Sequence, residues 1–195
     1  GSSSNNTSNW IRGNNTEMDI NTAGGNFNIE VGGNKKVTVL AGGGITFNGE
    51  TAAANALDDY EEGEYIPTIQ VQSGTFTLNT DQDSLLYTKI GRQVTVNGRL
   101  RFSAISASGY MRVYLPFLNI SNISGTQGDY AYFSIAGHNV NVSADIYGVF
   151  AEASPGSNYA TLLQKFDNAG WNYLDANSFS AGDYFYFTGT YFTHL

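Results

Sequence analysis

The chain has 195 residues, a net charge of -8, no cysteine and only 13% charged residues. Without cysteine, neither a disulfide framework nor a thiolate zinc site can form, and the acidic balance leaves no basic footprint for duplex nucleic acid or an anionic membrane surface. No apolar run approaches the roughly 18 to 20 residues of a membrane-spanning helix, so membrane insertion is not expected.

The composition points to strands. Aromatic residues make up 14% of the chain, with 13 Tyr and 12 Phe, beside 23 Gly and only 3 Pro. Aromatic and β-branched residues fit pleated sheets, while Gly and Asn supply the turns between them. The composition is uneven along the chain, which predicts an all-β protein in two parts, a short N-terminal stem and a larger head.

Residues 1–16 are polar and turn-rich around Trp10 and Ile11 and read as a flexible lead-in. Gly1 to Ser4 has the look of a cloning scar, and the chain reads as the continuation of something longer at its N-terminus. Residues 17–50 then carry a coarse repeat in which apolar and polar positions alternate. Met18 and Ile20 form the first stripe, Phe27, Ile29 and Val31 the second, Val37 and Val39 the third, and Ile45 and Phe47 the fourth, separated by glycine clusters. Such a short segment cannot enclose a core alone. A homotrimer whose stripes face a common axis, as a β-prism or an interleaved stem, supplies the missing cover and removes open sheet edges. The alternative is a sheet folded onto the head of its own chain, and oligomer size separates the two.

Residues 51–64 are expected to form an acidic junction. Thr51 to Leu57 has good helix formers, so a short helix capped by Thr51 or Asn55 is predicted. Asp58, Asp59, Glu61, Glu62 and Glu64 follow. Their spacing does not match a calcium-binding loop, so a solvated collar with no metal is the reading, and the boundary to the head is placed near Gly63.

Residues 65–195 should form a jelly-roll-like antiparallel β-sandwich. Ile66 to Gln72 and Gly74 to Asn79 read as an opening hairpin. Leu85 to Ile90 and the long run from Val94 form a second, joined by a tight turn at Ile90-Gly91-Arg92. In that run Val94, Val96, Gly98, Leu100 and Phe102 share one face, and the strand is expected to bend at Gly98. Further strands are predicted at Tyr110 to Leu115, Tyr130 to Ala136, Ile146 to Ala153, Tyr159 to Phe166 and Asp183 to Thr193. In the last of these Phe185 and Phe187 should face the core. Tyr184 and Tyr186 then lie on a subunit or ligand surface.

The series Asp58-Asp59-Tyr60-Glu61-Glu62-Gly63, Tyr65-x-Pro67-Thr68, Tyr87-Thr88-Lys89-Ile90-Gly91-Arg92-x-Val94, Gly98-Arg99-Leu100 and Leu115-Pro116-Phe117 resembles the C-terminal domains of structural proteins from tailed bacteriophages, especially marine ones, of the tail-fibre or virion-appendage kind. The resemblance covers residues 44 to 117. It implies a homotrimeric virion appendage whose tip faces the host and whose N-terminal side meets other virion proteins. It names neither a receptor nor a catalytic residue.

Catalytic machinery is sparse. The two histidines are His138 and His194, and a set of His138 with Ser134 or Ser143 and Asp145 is close in sequence only. No G-x-S-x-G elbow is present, so no catalytic residue and no cofactor is expected. Saccharide binding needs less: flat aromatic faces with Asn, Asp and Ser around them. Residues 167–179 offer Trp171, Asn172, Tyr173 and Asp175 as contacts to a host polysaccharide or protein receptor. Trp171 plugging the end of the sandwich is the competing reading. A second loop offers Asp129 and Tyr130. The expectation is a trimeric receptor-binding phage appendage. The alternatives are a purely structural capsid or tail decoration protein, and a polysaccharide hydrolase, which the short stem disfavours.

Overall fold

A computed structural model of the chain describes residues 9–13, 18–52, 56–57, 59–121, 130–142, 146–166 and 170–194. These form two units, Gly1–Asp59 and Tyr60–Leu195. The described strands pair antiparallel throughout, as alternating stripes and tight glycine turns require.

The first unit holds two small sheets. β1 (Trp10–Gly13) pairs with β2 (Met18–Asn21), so part of the expected lead-in is a strand, fixed by an Arg12–Asp19 ion pair at 2.7 Å across the hairpin. β3 (Phe27–Val31), β4 (Asn34–Val39) and β5 (Ile45–Phe47) form a meander. Its register aligns Phe27, Val39 and Ile45 in one row and Ile29, Val37 and Phe47 in the next, giving one continuous apolar face. The other face carries Asn28, Thr38 and Thr46. Thr38 donates to the Asn28 side chain at 2.9 Å and Thr46 to the Glu50 carbonyl at 2.6 Å. Burial runs opposite to polarity: Thr38 and Thr46 are 1% exposed, whereas Ile29 is 49% and Phe47 55% exposed. The side chain of Met18 lies outside the described set. The predicted helix is also replaced where it is described. Thr51 and Ala52 are not helical, Ala53 to Asn55 lie outside the described residues, and Leu57 bridges to Ile45 through two backbone hydrogen bonds of 2.8 and 3.0 Å.

In the second unit the acidic run is itself a strand, β6 (Tyr60–Tyr65), so the boundary falls upstream of Gly63. It is followed by β7 (Ile69–Leu78), β8 (Leu85–Ile90), β9 (Gln93–Tyr114), β10 (Ala131–His138), β11 (Ile146–Ala153), β12 (Tyr159–Phe166), β13 (Trp171–Tyr173) and β14 (Tyr184–Phe192). The predicted hairpin within residues 66–79 does not form. β7 is one strand laid along the far half of β9. The expected strand from Tyr110 is likewise the continuation of β9, which runs for 22 residues. Its near half pairs with β8 and β14, its far half with β7, and its end with β12. Following the pairs from β9 through β14, β10, β11 and β12 leads back to β9, so the sheet closes on itself around the core.

A strand that serves two layers must bend, and β9 does so at bulges rather than at Gly98. Ser103 is the extra residue opposite the Thr77/Leu78 step, and its hydroxyl donates to both of those carbonyls at 3.2 and 3.1 Å. Gly109 and Tyr110 oppose the single residue Gln72, with Gly109 at φ +79°, a conformation that disfavours any side chain. Gly98 instead permits a close approach, since a Cβ there would stand 2.6 Å from Leu85 Cδ2.

The inward positions of β9 are Val94, Val96, Leu100 and Phe102, all fully buried. Phe102 is surrounded by rings, with centroids of Phe76 at 4.7 Å, Phe179 at 5.2 Å and Phe185 at 5.7 Å. Phe133 stacks on Phe187 at 4.7 Å, which places the Phe face of β14 in the core as its alternation predicts. At the other end of the core Tyr65 meets Tyr87 edge-on at 6.2 Å, and its hydroxyl is buried without a hydrogen-bond partner. Burial is the main cause that pushes the Tyr65 phenol above its ordinary range.

Two outcomes follow for stability. Phe102→Ala should cost about 3 to 5 kcal/mol in urea unfolding, as deletion of a ring at the centre of a packed core does; a cost under about 1 kcal/mol would place the core elsewhere. Tyr65→Phe removes a buried hydroxyl that has no partner and should raise stability by about 1 kcal/mol. Because the folded state holds the Tyr65 proton more tightly than the unfolded chain, wild-type stability should fall as the pH rises above about 10, and Tyr65→Phe should lessen that alkaline loss.

Candidate functional site

Strand alternation sends Met111 and Val113 of β9 inward, where both are fully buried, and turns Tyr110, Arg112 and Tyr114 outward. The β12 end pairs alongside, with Tyr159 opposite Tyr114 and Thr161 opposite Arg112, and β13 adds Trp171 and Tyr173 at the sheet's edge. Of these outward side chains, Arg112, Tyr159, Thr161, Trp171 and Tyr173 line an open cleft of about 440 Å³.

Its centre is Arg112. The guanidinium lies 4.3 Å from the ring centroids of both Tyr110 and Tyr159, so it is held between two aromatic faces. Nη1 donates to Gln70 Oε1 at 3.3 Å, the Tyr114 hydroxyl approaches the same oxygen at 3.4 Å, and Nε is buried with no hydrogen-bond partner. Tyr110 meets Tyr173 edge-on at 5.8 Å and Trp171 meets Phe150 edge-on at 6.1 Å. Trp171 and Tyr173 are 52% and 54% exposed. The other charged wall is Glu152, beside Ser154 and Thr161. Glu152 also accepts a hydrogen bond from Tyr132, whose phenol is pushed up first by desolvation and then by that bond.

Of the residues singled out from the sequence, Trp171, Asn172 and Tyr173 line this cleft. Trp171 does not plug the core; Leu174, Ala176 and Phe179, all buried, fill that place. Asp175 has a structural position instead. Its Oδ1 accepts from the backbone N–H of Gly109 and of Asn177, both at 3.0 Å, tying the β9 bulge to the short 3-10 turn Ala176–Ser178. Tyr130 is exposed just before β10 and does not line the cleft, and Asp129 lies outside the described residues. Arg112, Tyr159 and Glu152 were not foreseen. The signal for Arg112 was present in Tyr110-x-Arg112-x-Tyr114, a cation flanked by aromatic residues at the same-face spacing of a strand.

The cleft combines exposed aromatic rings with polar and charged side chains. Saccharide recognition in general uses flat rings against apolar sugar faces with polar groups around them, and this lining supplies Trp171 and Tyr173 beside Arg112, Glu152 and Asn172. Glycoside hydrolysis usually needs two carboxylates flanking the bond, and among the described lining residues Glu152 is the one carboxylate. Elsewhere His138 stacks flat on Tyr184 at 4.6 Å, Ser143 and Asp145 lie outside the described residues, and His194 Nε2 sits 2.9 Å from the Ser121 hydroxyl. Among the described residues no group of His, Asp and Glu could hold a metal ion.

No protein-family model and no curated protein matches the chain. Among solved structures it is similar to the crystal structure of Dettilon tailspike protein (gp208), with a TM-score of 0.55 and 21% identity over 68% of this chain. The match spans 23% of that tailspike, and at this identity what the two share is an antiparallel β fold.

Proposed function

We propose that the chain is part of a bacteriophage tail appendage, carried on the virion as a homotrimer, whose head adheres to host-surface saccharide through the cleft around Arg112. The observation that carries this reading is the cleft itself, with Arg112 clamped between Tyr110 and Tyr159 and the exposed rings of Trp171 and Tyr173 on its rim. The fold shared with a stretch of a phage tailspike and the resemblance of residues 44–117 to phage appendage domains support the setting.

The open apolar face of β3, β4 and β5 supports the trimer. Six side chains in two rows, with Phe47 and Ile29 about half exposed, are a surface that further copies of the stem cover. The N-terminal side then joins other virion proteins while three heads present three clefts. Weak sites carried on one assembly gain avidity of roughly 10²- to 10⁴-fold where the geometry lets them engage together.

Light scattering should give a mass of about 63 kDa, three times the 21.0 kDa chain. Ile29→Ser with Phe47→Ser should shift it toward one chain; a monomeric wild type would remove the trimer from the proposal. On an array of host-surface polysaccharides the intact protein should bind at least one. Trp171→Ala should weaken that binding about tenfold without changing the fold, as loss of an aromatic sugar platform does. No binding to any glycan, together with retention on virions, would make the protein a decoration. Release of reducing ends that stops with Glu152→Gln would make it a hydrolase.

A further inference from the structure

The outward face of the aromatic strand β14 does not belong to the cleft. Its register sets Tyr184 between Arg101 of β9 and His138 of β10, and sets Tyr186 between Arg99 and Ala136. Tyr184 is the centre of a stack. His138 lies parallel to it at 4.6 Å with 5° between the planes, and the Arg99 guanidinium stands 5.2 Å from its ring centroid. Tyr186, half exposed, meets Tyr184 edge-on at 5.8 Å. The result is a fixed platform of two phenol rings and an imidazole, bordered by two guanidinium groups that alternate onto the same side of one strand.

The chain carries 17 acidic against 9 basic residues, so a guanidinium without a carboxylate partner runs against the composition. Yet among the described residues neither Arg99 nor Arg101 has a carboxylate within ion-pair distance; the ion pair recorded is Arg12–Asp19 in the other unit. The Arg101 Nε donates to the Gly182 carbonyl at a long 3.4 Å. Of the acids nearby, Glu64 accepts from Ser84, and Asp183 is buried and accepts from the Ser180 N–H at 2.7 Å. Asp81 and Asp83 flank Gln82, whose carbonyl accepts the Arg101 backbone N–H at 3.0 Å, and neither is within ion-pair distance of Arg101. Planar guanidinium donors beside aromatic faces are suited to a sugar ring that bears an oxyanion, the ring lying on the platform and its charge meeting Arg99 and Arg101.

We infer that the face formed by Arg99, Arg101, His138, Tyr184 and Tyr186 is a second saccharide-binding site, selective for polysaccharide carrying carboxylate or sulfate groups and separate from the cleft at Arg112. The two sources of charge share the chemistry and are distinguished by the probe. Titration of the intact protein with neutral dextran, carboxymethyl dextran and dextran sulfate should show binding to at least one charged polymer, weakening with added salt, and none to the neutral one. Whichever charged polymer binds more tightly identifies the oxyanion. Arg99→Gln with Arg101→Gln should weaken that binding at least tenfold while preserving the β circular-dichroism spectrum, and Tyr186→Ala should weaken it by a smaller factor. Lys35→Gln with Lys36→Gln removes the same charge elsewhere and should leave it unchanged. Several outcomes overturn the site: no binding of either charged polymer; full binding by the Arg99/Arg101 variant; loss caused by Trp171→Ala instead, which moves the polymer to the cleft; or equal affinity for duplex DNA, which reduces the patch to generic polyanion attraction.

Discussion

The head depends on one constraint, that a single strand must serve both layers of the sheet. β9 can do this only because its inward side chains remain in phase through two bulges. Val94 to Phe102 face the core beside β8 and β14, and after Ser103 and the Gly109-Tyr110 step Met111 and Val113 face it again beside β7 and β12. Each bulge has its own fixing contact. The Ser103 hydroxyl caps the carbonyls that the first one leaves unladdered, and Asp175 holds the amide of Gly109 at the second. Just past the second bulge Arg112 lines the cleft, with its guanidinium over the Tyr110 ring, so the strand that closes the core also builds the site.

The motif that suggested a phage appendage acquires a physical basis from the same fold. Several of its members, scattered in sequence, meet at the Tyr87 ring. Tyr87 lies across Gly63, where a Cβ would stand 2.9 Å from the ring, and its hydroxyl donates to Glu61 at 2.5 Å. That bond is the first cause raising its phenol pKa. Phe117 meets Tyr87 edge-on at 5.3 Å and lies under the buried Lys89 ammonium at 5.7 Å, while Tyr191 takes both backbone groups of Phe117, accepting from its N–H at 3.1 Å and donating to its carbonyl at 3.0 Å. The run of carboxylates is therefore partly an edge-strand device: Glu61, Glu62 and Glu64 each take a hydroxyl partner and place charge along the exposed rim of the sheet.

Period-two patterning made most of this fold legible. The hairpin at Gly91, the inward face from Val94 to Phe102 and the Phe/Tyr division of the last strand all follow from alternation alone. What alternation could not reveal is where a long strand changes partners. Gly74 looked like a turn because glycine usually punctuates, yet β7 runs straight through it, with Ser106 of β9 so close that no side chain fits there. The cleft was half legible for the same reason. Exposed aromatics in a loop announce themselves, whereas Arg112 and Glu152 become neighbours only when β12 returns to β9 and closes the ring.

That closure also dictates timing. β14 lies between β9 and β10, so each of these two interior strands keeps a bare edge until Tyr184 to Phe192 have emerged. A ribosome that stalls shortly before Tyr184 releases a head with a slot down its middle, open along both sides to any passing strand. The head is therefore exposed to mispairing until β14 is in place, and the Tyr and Phe residues of that strand are the ones that seal it.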